Sequence, residues 1–192
     1  MYKGERRLKI ILIRHGKTAG NCEKRYIGRT DEVLCPEGYE ELRSRKYPKC
    51  DLVLCSPMLR CIETARTIYP SVRTRINYYI RECDFGDFEG KNYEELNGNP
   101  EYQSWIESGG SMDFPNGEPQ KDFKERCNMA FNNIIRTHNE NKAIAFIIHG
   151  GTIMAILEKY IGGSFYDYHV KNGCGYILSY NGKELKITGE IV

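Results

Sequence analysis

The chain has no long apolar run. Its longest uninterrupted aliphatic stretch, Ile10 to Ile13, is far short of the roughly 20 residues that a membrane-spanning helix requires. It also lacks an excess of either charge. Lys and Arg number 28 against 26 Asp and Glu, a balance that offers no extended field for nucleic acid or an anionic membrane. The basic start is followed by no long apolar stretch or small-residue cleavage site, which argues against a signal peptide. There is no internal repeat, low-complexity tract or linker. Eight cysteines are present, but no two stand at the C-x-x-C spacing of a redox dithiol or zinc knuckle. With 192 residues, folding buries roughly 70% of the unfolded surface, so a core needs neither disulfides nor metal. The expectation is a cytoplasmic protein, one domain over 1–192, with reduced thiols acting as small hydrophobes. Cys22 and Cys83 stand near the expected site mouth, so their reactivity merits a test.

Short apolar runs alternate with helix-like stretches. Leu8 to Ile13 and Ala143 to Ile148 are nearly continuous hydrophobic runs, as strands buried on both faces should be. Asp51 to Cys55 reads as another strand and Ile76 to Ile80 as a third. Helices are expected from Pro36, from an N-cap at Ser56 followed by Pro57, over Gln120 to His138 and over Thr152 to Tyr160. Tyr176 to Tyr180 and Leu185 to Ile191 flank Asn181-Gly182 as a hairpin. This order predicts an α/β three-layer sandwich: a mainly parallel central sheet with helices on both faces and an antiparallel edge. Residues 86–118, rich in Gly, Asn, Pro and Glu, read as a small cap-like insertion with short helical stretches at Tyr93–Leu96 and Glu101–Ile106.

In such sheets ligands bind beyond the carboxyl ends of the strands. Two of the four histidines stand there, each followed by glycine: Arg14-His15-Gly16 and His149-Gly150. If their strands are neighbours, the imidazoles converge; His138 and His169 keep an ordinary surface reading. Arg14 offers a planar fork suited to phosphate oxygens, and Arg60 lies one turn into a helix. Two histidines and two arginines, without a metal-ligand carboxylate cluster, suggest phosphoryl transfer through histidine.

The run Leu12-Ile13-Arg14-His15-Gly16-Lys17-Thr18 with Asn21 resembles the signature of the histidine phosphatase superfamily, which also contains the cofactor-dependent phosphoglycerate mutases. Arg25-Tyr26-Ile27-Gly28, Ser56-Pro57-Met58-Leu59-Arg60 with Thr64-Ala65, Glu82 before Phe85-Gly86, and His149-Gly150 follow in the family's order. Glu82 to Gly90, Trp105 and Phe114 to Glu118 are similar to the α-ribazole and broad-specificity phosphatase branch. The resemblance implies a phosphoglycerate mutase-like fold and His15 as nucleophile. Arg14, Arg60 and His149 would neutralise the phosphoryl oxygens, and Glu82 would be the general acid, with nearby Glu89 the other candidate. Asn21, Arg25, Gly28 and Gly150 would bind substrate. It implies neither metal nor organic cofactor, and a small phosphorylated metabolite as partner, first of all α-ribazole 5′-phosphate. A bisphosphate-primed mutase and an inactive phosphate-binding module are the alternatives. Lys17 where the family usually has an acid, Cys22 after Asn21, and Pro119 after Gly117-Glu118 depart from the pattern and bear on substrate preference.

Overall fold

The computed structural model describes residues 7–138, 140 and 142–192. Its strands are β1 (Leu8–Arg14), β2 (Leu52–Cys55), β3 (Thr74–Ile76), β4 (Ala143–Ile148), β5 (Gly175–Tyr180) and β6 (Leu185–Ile191). Its helices are α1 (Ala19–Cys22), α2 (Pro36–Ser44), α3 (Leu59–Ile68), α4 (Pro100–Glu107), α5 (Gln120–Thr137) and α6 (Gly150–Ile161). The strands form one sheet in the order β3-β2-β4-β1-β5-β6. The pairs β3·β2, β2·β4 and β4·β1 are parallel, whereas β5 and β6 run antiparallel, β5 against β1 and β6 against β5. The sheet is therefore mainly parallel with an antiparallel edge.

Period-two alternation divides the buried strands between two cores. Ile10, Leu12, Leu54, Ile144, Phe146 and Ile148 face α5 and α6, meeting Phe131, Ile134, Ile153 and Ile156. Ile11, Ile13, Val53, Cys55, Ala145 and Ile147 face the other way, onto Cys61 and Ala65 of α3. With both faces covered, β1 and β4 have no polar side to show, which is why their sequences run unbroken. All eight cysteines are free thiols, and Cys55, Cys61, Cys83, Cys127 and Cys174 are buried.

The local structure differs from the sequence expectation at three places. The third strand ends at Ile76, where the Asn77 side chain caps a 3₁₀ turn over Tyr78–Ile80. Helix α3 begins at Leu59 with Met58 at the N-cap; the Leu59 amide donates to Asp31 Oδ1, and the Ser56 hydroxyl is engaged elsewhere. Tyr93–Leu96 forms turns, while the second expected helical stretch is α4, capped by Asn99. Within 86–118, Phe88, Leu96, Tyr102, Trp105 and Phe114 build a third core with Cys83, with Phe123 and Cys127 of α5 and with Ala155 of α6.

The centre of the sheet leaves no room at Gly175. A Cβ there would lie 1.8 Å from the Leu12 carbonyl oxygen, whereas at Gly189 on the edge strand the nearest atom is 3.6 Å away. Gly175→Ala is therefore expected to lower stability by about 1–3 kcal/mol or more. Gly189→Ala should stay within about 0.5 kcal/mol of the parent. Urea unfolding of the two variants checks the contrast.

Candidate functional site

Parallel pairing sets Arg14 opposite Ile148, so the next residue on each strand, His15 or His149, leaves the same sheet end. The two rings meet edge to face with centroids 5.2 Å apart. His15 Nδ1 is 2.7 Å from the Gly16 carbonyl oxygen. A carbonyl only accepts, so Nδ1 carries the proton and Nε2 keeps its lone pair. The Gly16 amide donates to Thr64 Oγ1 (2.9 Å), which donates to the Arg60 carbonyl (2.7 Å), locking the turn to α3. Burial holds His15 well below the ordinary histidine value, and the charges of Arg60 and Arg14 act in the same direction. Burial, followed by Arg60, His15 and Arg14, lowers His149 in the same way. Both rings are neutral near pH 7.

His149 Nε2 lies 2.7 Å from Ser56 Oγ. The sequence reading placed Ser56 as a helix cap. It instead follows β2 as the histidines follow β1 and β4, and that shared position at a strand's carboxyl end was the available signal.

Arg14 spends one terminal nitrogen on backbone and Arg60 both. Arg14 Nη1 donates to the Val170 carbonyl (2.8 Å). Arg60 donates from Nη1 to Thr30 (2.8 Å) and from Nη2 to Gly28 (2.8 Å) and Ile27 (3.4 Å). In both, Nε is buried without a hydrogen-bond partner among the described residues. Arg60 thus brings its charge beside the histidines while holding the loop over residues 27–30.

Glu82 faces the histidines from the segment after β3. Its Oε2 accepts from the Gly151 amide (3.0 Å) and its Oε1 from the Cys83 amide (3.1 Å). Burial raises the carboxyl above its ordinary value; the two amides, then Arg60 and Arg14, pull it down without cancelling the rise. Glu89 has a different task. It accepts from the Gly28 amide, the Thr30 amide, the Thr30 hydroxyl and the Phe85 amide, stapling the 28–30 loop. Arg126, which the sequence reading missed, pairs through Nε and Nη2 with Glu118 and donates to the Tyr79, Arg81 and Glu82 carbonyls. It clamps the chain that presents Glu82.

Arg14, His15, Asn21, Glu82 and Gly150 line one cavity of about 240 Å³. Asn21 Oδ1 accepts from Asn172 Nδ2 (2.9 Å) and from the Thr18 amide, so its own Nδ2 is the group left for a ligand. Asn172 Nδ2 also donates to the His15 carbonyl (3.1 Å), and the Gly173 amide to that of Arg14 (3.0 Å). Residues 170–174 thus strap the His15 turn, a role that their sequence does not signal.

Two expected substrate-binding residues differ in their placement. Arg25 reaches the cavity wall, but its guanidinium is paired with Glu23 and Glu95 and bonded to the Gly90 carbonyl. Gly28 lies outside the lining. It is glycine because the loop crosses the Cys83 carbonyl, where a Cβ would sit 1.9 Å from the oxygen. His169, expected on the surface, is exposed and also borders the cavity mouth. The remaining wall is largely aromatic: Tyr26, Phe85, Trp105, Phe114, Phe123 and Phe165. Cys83 also lines the cavity, and burial pushes its thiol far up, out of the reactive range. Among the described residues no group of three or more His, Cys, Asp or Glu could hold a metal ion, and no helix is long and apolar enough to cross a membrane.

Comparison with known proteins gives a consistent result. The model of the histidine phosphatase superfamily (branch 1) matches residues 10–189. The adenosylcobalamin/alpha-ribazole phosphatase of Escherichia coli (strain K12) is 25% identical over 188 residues, 92% of this chain and 92% of that protein. The 2,3-bisphosphoglycerate-dependent phosphoglycerate mutase of Rhizobium etli is 26% identical over 168 residues, 78% of each. The solved structure of the alpha-ribazole phosphatase from Shigella flexneri superposes with a TM-score of 0.83 at 25% identity, covering 94% of each chain.

The paired glycines opening α6 give a test of the Glu82 cradle. A Cβ at Gly151 would lie 2.4 Å from Glu82 Oε1, whereas at Gly150 the nearest atom is 3.6 Å away. Gly151→Ala should displace the carboxyl from the amide that pulls its pKa down, so its titration moves further up. Gly150→Ala should leave it in place. Carboxyl ¹³C NMR titration of Glu82 in the two variants measures the difference.

Proposed function

Because the chain belongs to the histidine phosphatase superfamily, branch 1, and is a phosphoric monoester hydrolase, we propose that it hydrolyses a small phosphorylated metabolite through a phosphohistidine formed on His15. The observation that carries this reading is the neutral His15 ring, held by the Gly16 carbonyl with Nε2 unprotonated, beside His149 and facing Glu82 in one cavity. Nε2 attacks phosphorus as the bond to the leaving oxygen breaks. Arg14, Arg60 and His149 stabilise the non-bridging oxygens, where charge spreads as the group becomes metaphosphate-like. Asn21 Nδ2 and the Gly150 amide add hydrogen bonds. Glu82, whose carboxyl burial raises above its ordinary value, gives a proton to the leaving oxygen. As carboxylate it then takes one from the water that cleaves the phosphorus–nitrogen bond, releasing inorganic phosphate and restoring both groups. The cycle uses no metal and no organic cofactor.

The walls favour the nature of the leaving group. Residues 86–118 act as a cap that contributes Trp105 and Phe114 to the cavity. Beyond the phosphate end the one cationic side chain among the described lining residues is Arg25, already engaged by two carboxylates. A second anionic group, such as the carboxylate of a phosphoglycerate, finds no free cation there. A flat apolar ring finds aromatic edges and faces. This supports α-ribazole 5′-phosphate, a benzimidazole ribotide, over the mutase reading.

A panel of α-ribazole 5′-phosphate, phosphoglycerates, sugar phosphates and nucleotides tests the assignment. Phosphate release without primer, fastest from the benzimidazole ribotide, is expected. Isomerisation of phosphoglycerate stimulated by 2,3-bisphosphoglycerate would overturn it. His15→Ala should lower turnover by at least about 10³-fold, and rapid acid-free quenching of the parent should trap base-stable phosphate on the protein. Full activity in the variant would refute the mechanism.

The pH profile follows from the two shifts. Rate falls on the acid side as His15 takes a proton, and this limb lies below the ordinary histidine value. It falls on the alkaline side as Glu82 loses its proton, above the ordinary carboxylate value. Glu82→Gln should reduce turnover of poor leaving groups by about 10²–10⁴-fold and abolish the alkaline limb.

A further inference from the structure

Beside the cavity lies a pair of thiols that the proposed chemistry does not use. Cys22 closes α1 and is exposed; Cys35 is the N-cap of α2 and half-buried. Their Sγ atoms are 3.8 Å apart. The segments that carry them are joined independently of the sulfurs. Thr18 and Leu34 form an antiparallel bridge, and the Cys35 amide donates to the Lys17 carbonyl at 3.0 Å. The thiols therefore face each other across backbone already held in register, and closing to a disulfide length of about 2.05 Å needs side-chain movement more than a change of fold. The other cysteines are less accessible: Cys55, Cys61, Cys83, Cys127 and Cys174 are buried and Cys50 is half-buried.

We propose that Cys22 and Cys35 form a reversible oxidation site whose disulfide clamps the base of the loop over residues 23–34. Hydrogen peroxide is the oxidant, and the proton given up by the Cys22 thiol goes to the departing oxygen. The more exposed Cys22, as thiolate, attacks one peroxide oxygen, breaking the O–O bond and becoming a sulfenic acid as the other oxygen leaves as water. The Cys35 sulfur then attacks the sulfenic sulfur and expels its hydroxyl as a second water. Two thiols are oxidised by two electrons and one peroxide is reduced to two waters. Burial, the adjoining Cys35 and Glu37 raise the Cys22 thiol, while Lys17 acts the other way. The pair accordingly reacts faster at mildly alkaline pH.

The loop between the two sulfurs carries Tyr26 and Ile27 of the cavity wall and the carbonyls of Ile27, Gly28 and Thr30 that hold Arg60. Asn21, which lines the cavity, immediately precedes Cys22. A link at the base of this loop reduces the freedom of the unfolded chain and fixes the segment that holds the buried guanidinium.

The test treats the intact protein with hydrogen peroxide at pH 8.5, then blocks remaining thiols and digests it with trypsin without reductant. The expected product joins the peptide Thr18–Lys24 to Thr30–Arg43, two hydrogens lighter than the pair, in a monomeric chain. Dithiothreitol should reverse it. The linked protein should melt about 5 °C or more above the reduced form. Cys35→Ser, which keeps an oxygen acceptor for the Gly38 amide, should leave Cys22 as a sulfenic acid trapped by dimedone. Cys22→Ser should retain a free Cys35. Independent overoxidation of both thiols, a link to another cysteine, a disulfide-bonded dimer, or a linked form that melts no higher would each overturn the proposal.

Discussion

The parallel pairing of β1 with β4 is the contact on which the site depends. Its register places Arg14 against Ile148, and everything chemical begins one residue later. A slip by one position would turn each strand's apolar side chains to the opposite layer and separate the rings. The aliphatic content of both strands therefore does two things at once. It fills two cores, and by filling them it fixes the distance between His15 and His149. Ser56, leaving β2 beside β4, joins the same line of residues at the sheet end.

Around that line two guanidiniums stand against one carboxyl. Arg60 is buried and Arg14 half-buried, and carbonyl oxygens compensate them only in part, since each keeps an Nε without a hydrogen-bond partner among the described residues. Their fields suppress protonation of both imidazoles, and the buried Glu82 carboxyl leans towards its neutral form despite them. An anionic ligand relieves this imbalance and so has a favourable place prepared before it arrives. The support lies one layer out. Glu89 holds the loop whose carbonyls hold Arg60, and Arg126 with Glu118 holds the chain that presents Glu82.

The fold was legible in the sequence where burial decided it. Strands covered on both faces leave unbroken aliphatic runs, and histidine-glycine pairs after two such runs announced the convergence of His15 and His149. The position of Glu82 was also legible, although a 3₁₀ turn, not a longer strand, delivers it. The fastenings of Arg25 and Gly28 were less legible because they include remote partners: Glu95 is 70 residues from Arg25, and the Cys83 carbonyl that excludes a side chain at Gly28 belongs to another segment. No local pattern reports such meetings. The same holds for Asn172 and Arg126, whose importance rests on backbone carbonyls that every residue possesses.

The strap over residues 170–174 has a consequence for the order in which the chain can acquire its chemistry. The His15 turn precedes this strap by more than 150 positions, yet its carbonyls and the Arg14 side chain are fastened by Val170, Asn172 and Gly173. Loop-closure entropy across more than 150 positions must be met before that fastening forms. A nascent chain thus carries the His15 imidazole through the synthesis of all the intervening residues without the strap that frames it. The frame of the site closes only when residues 170–174 have reached β1.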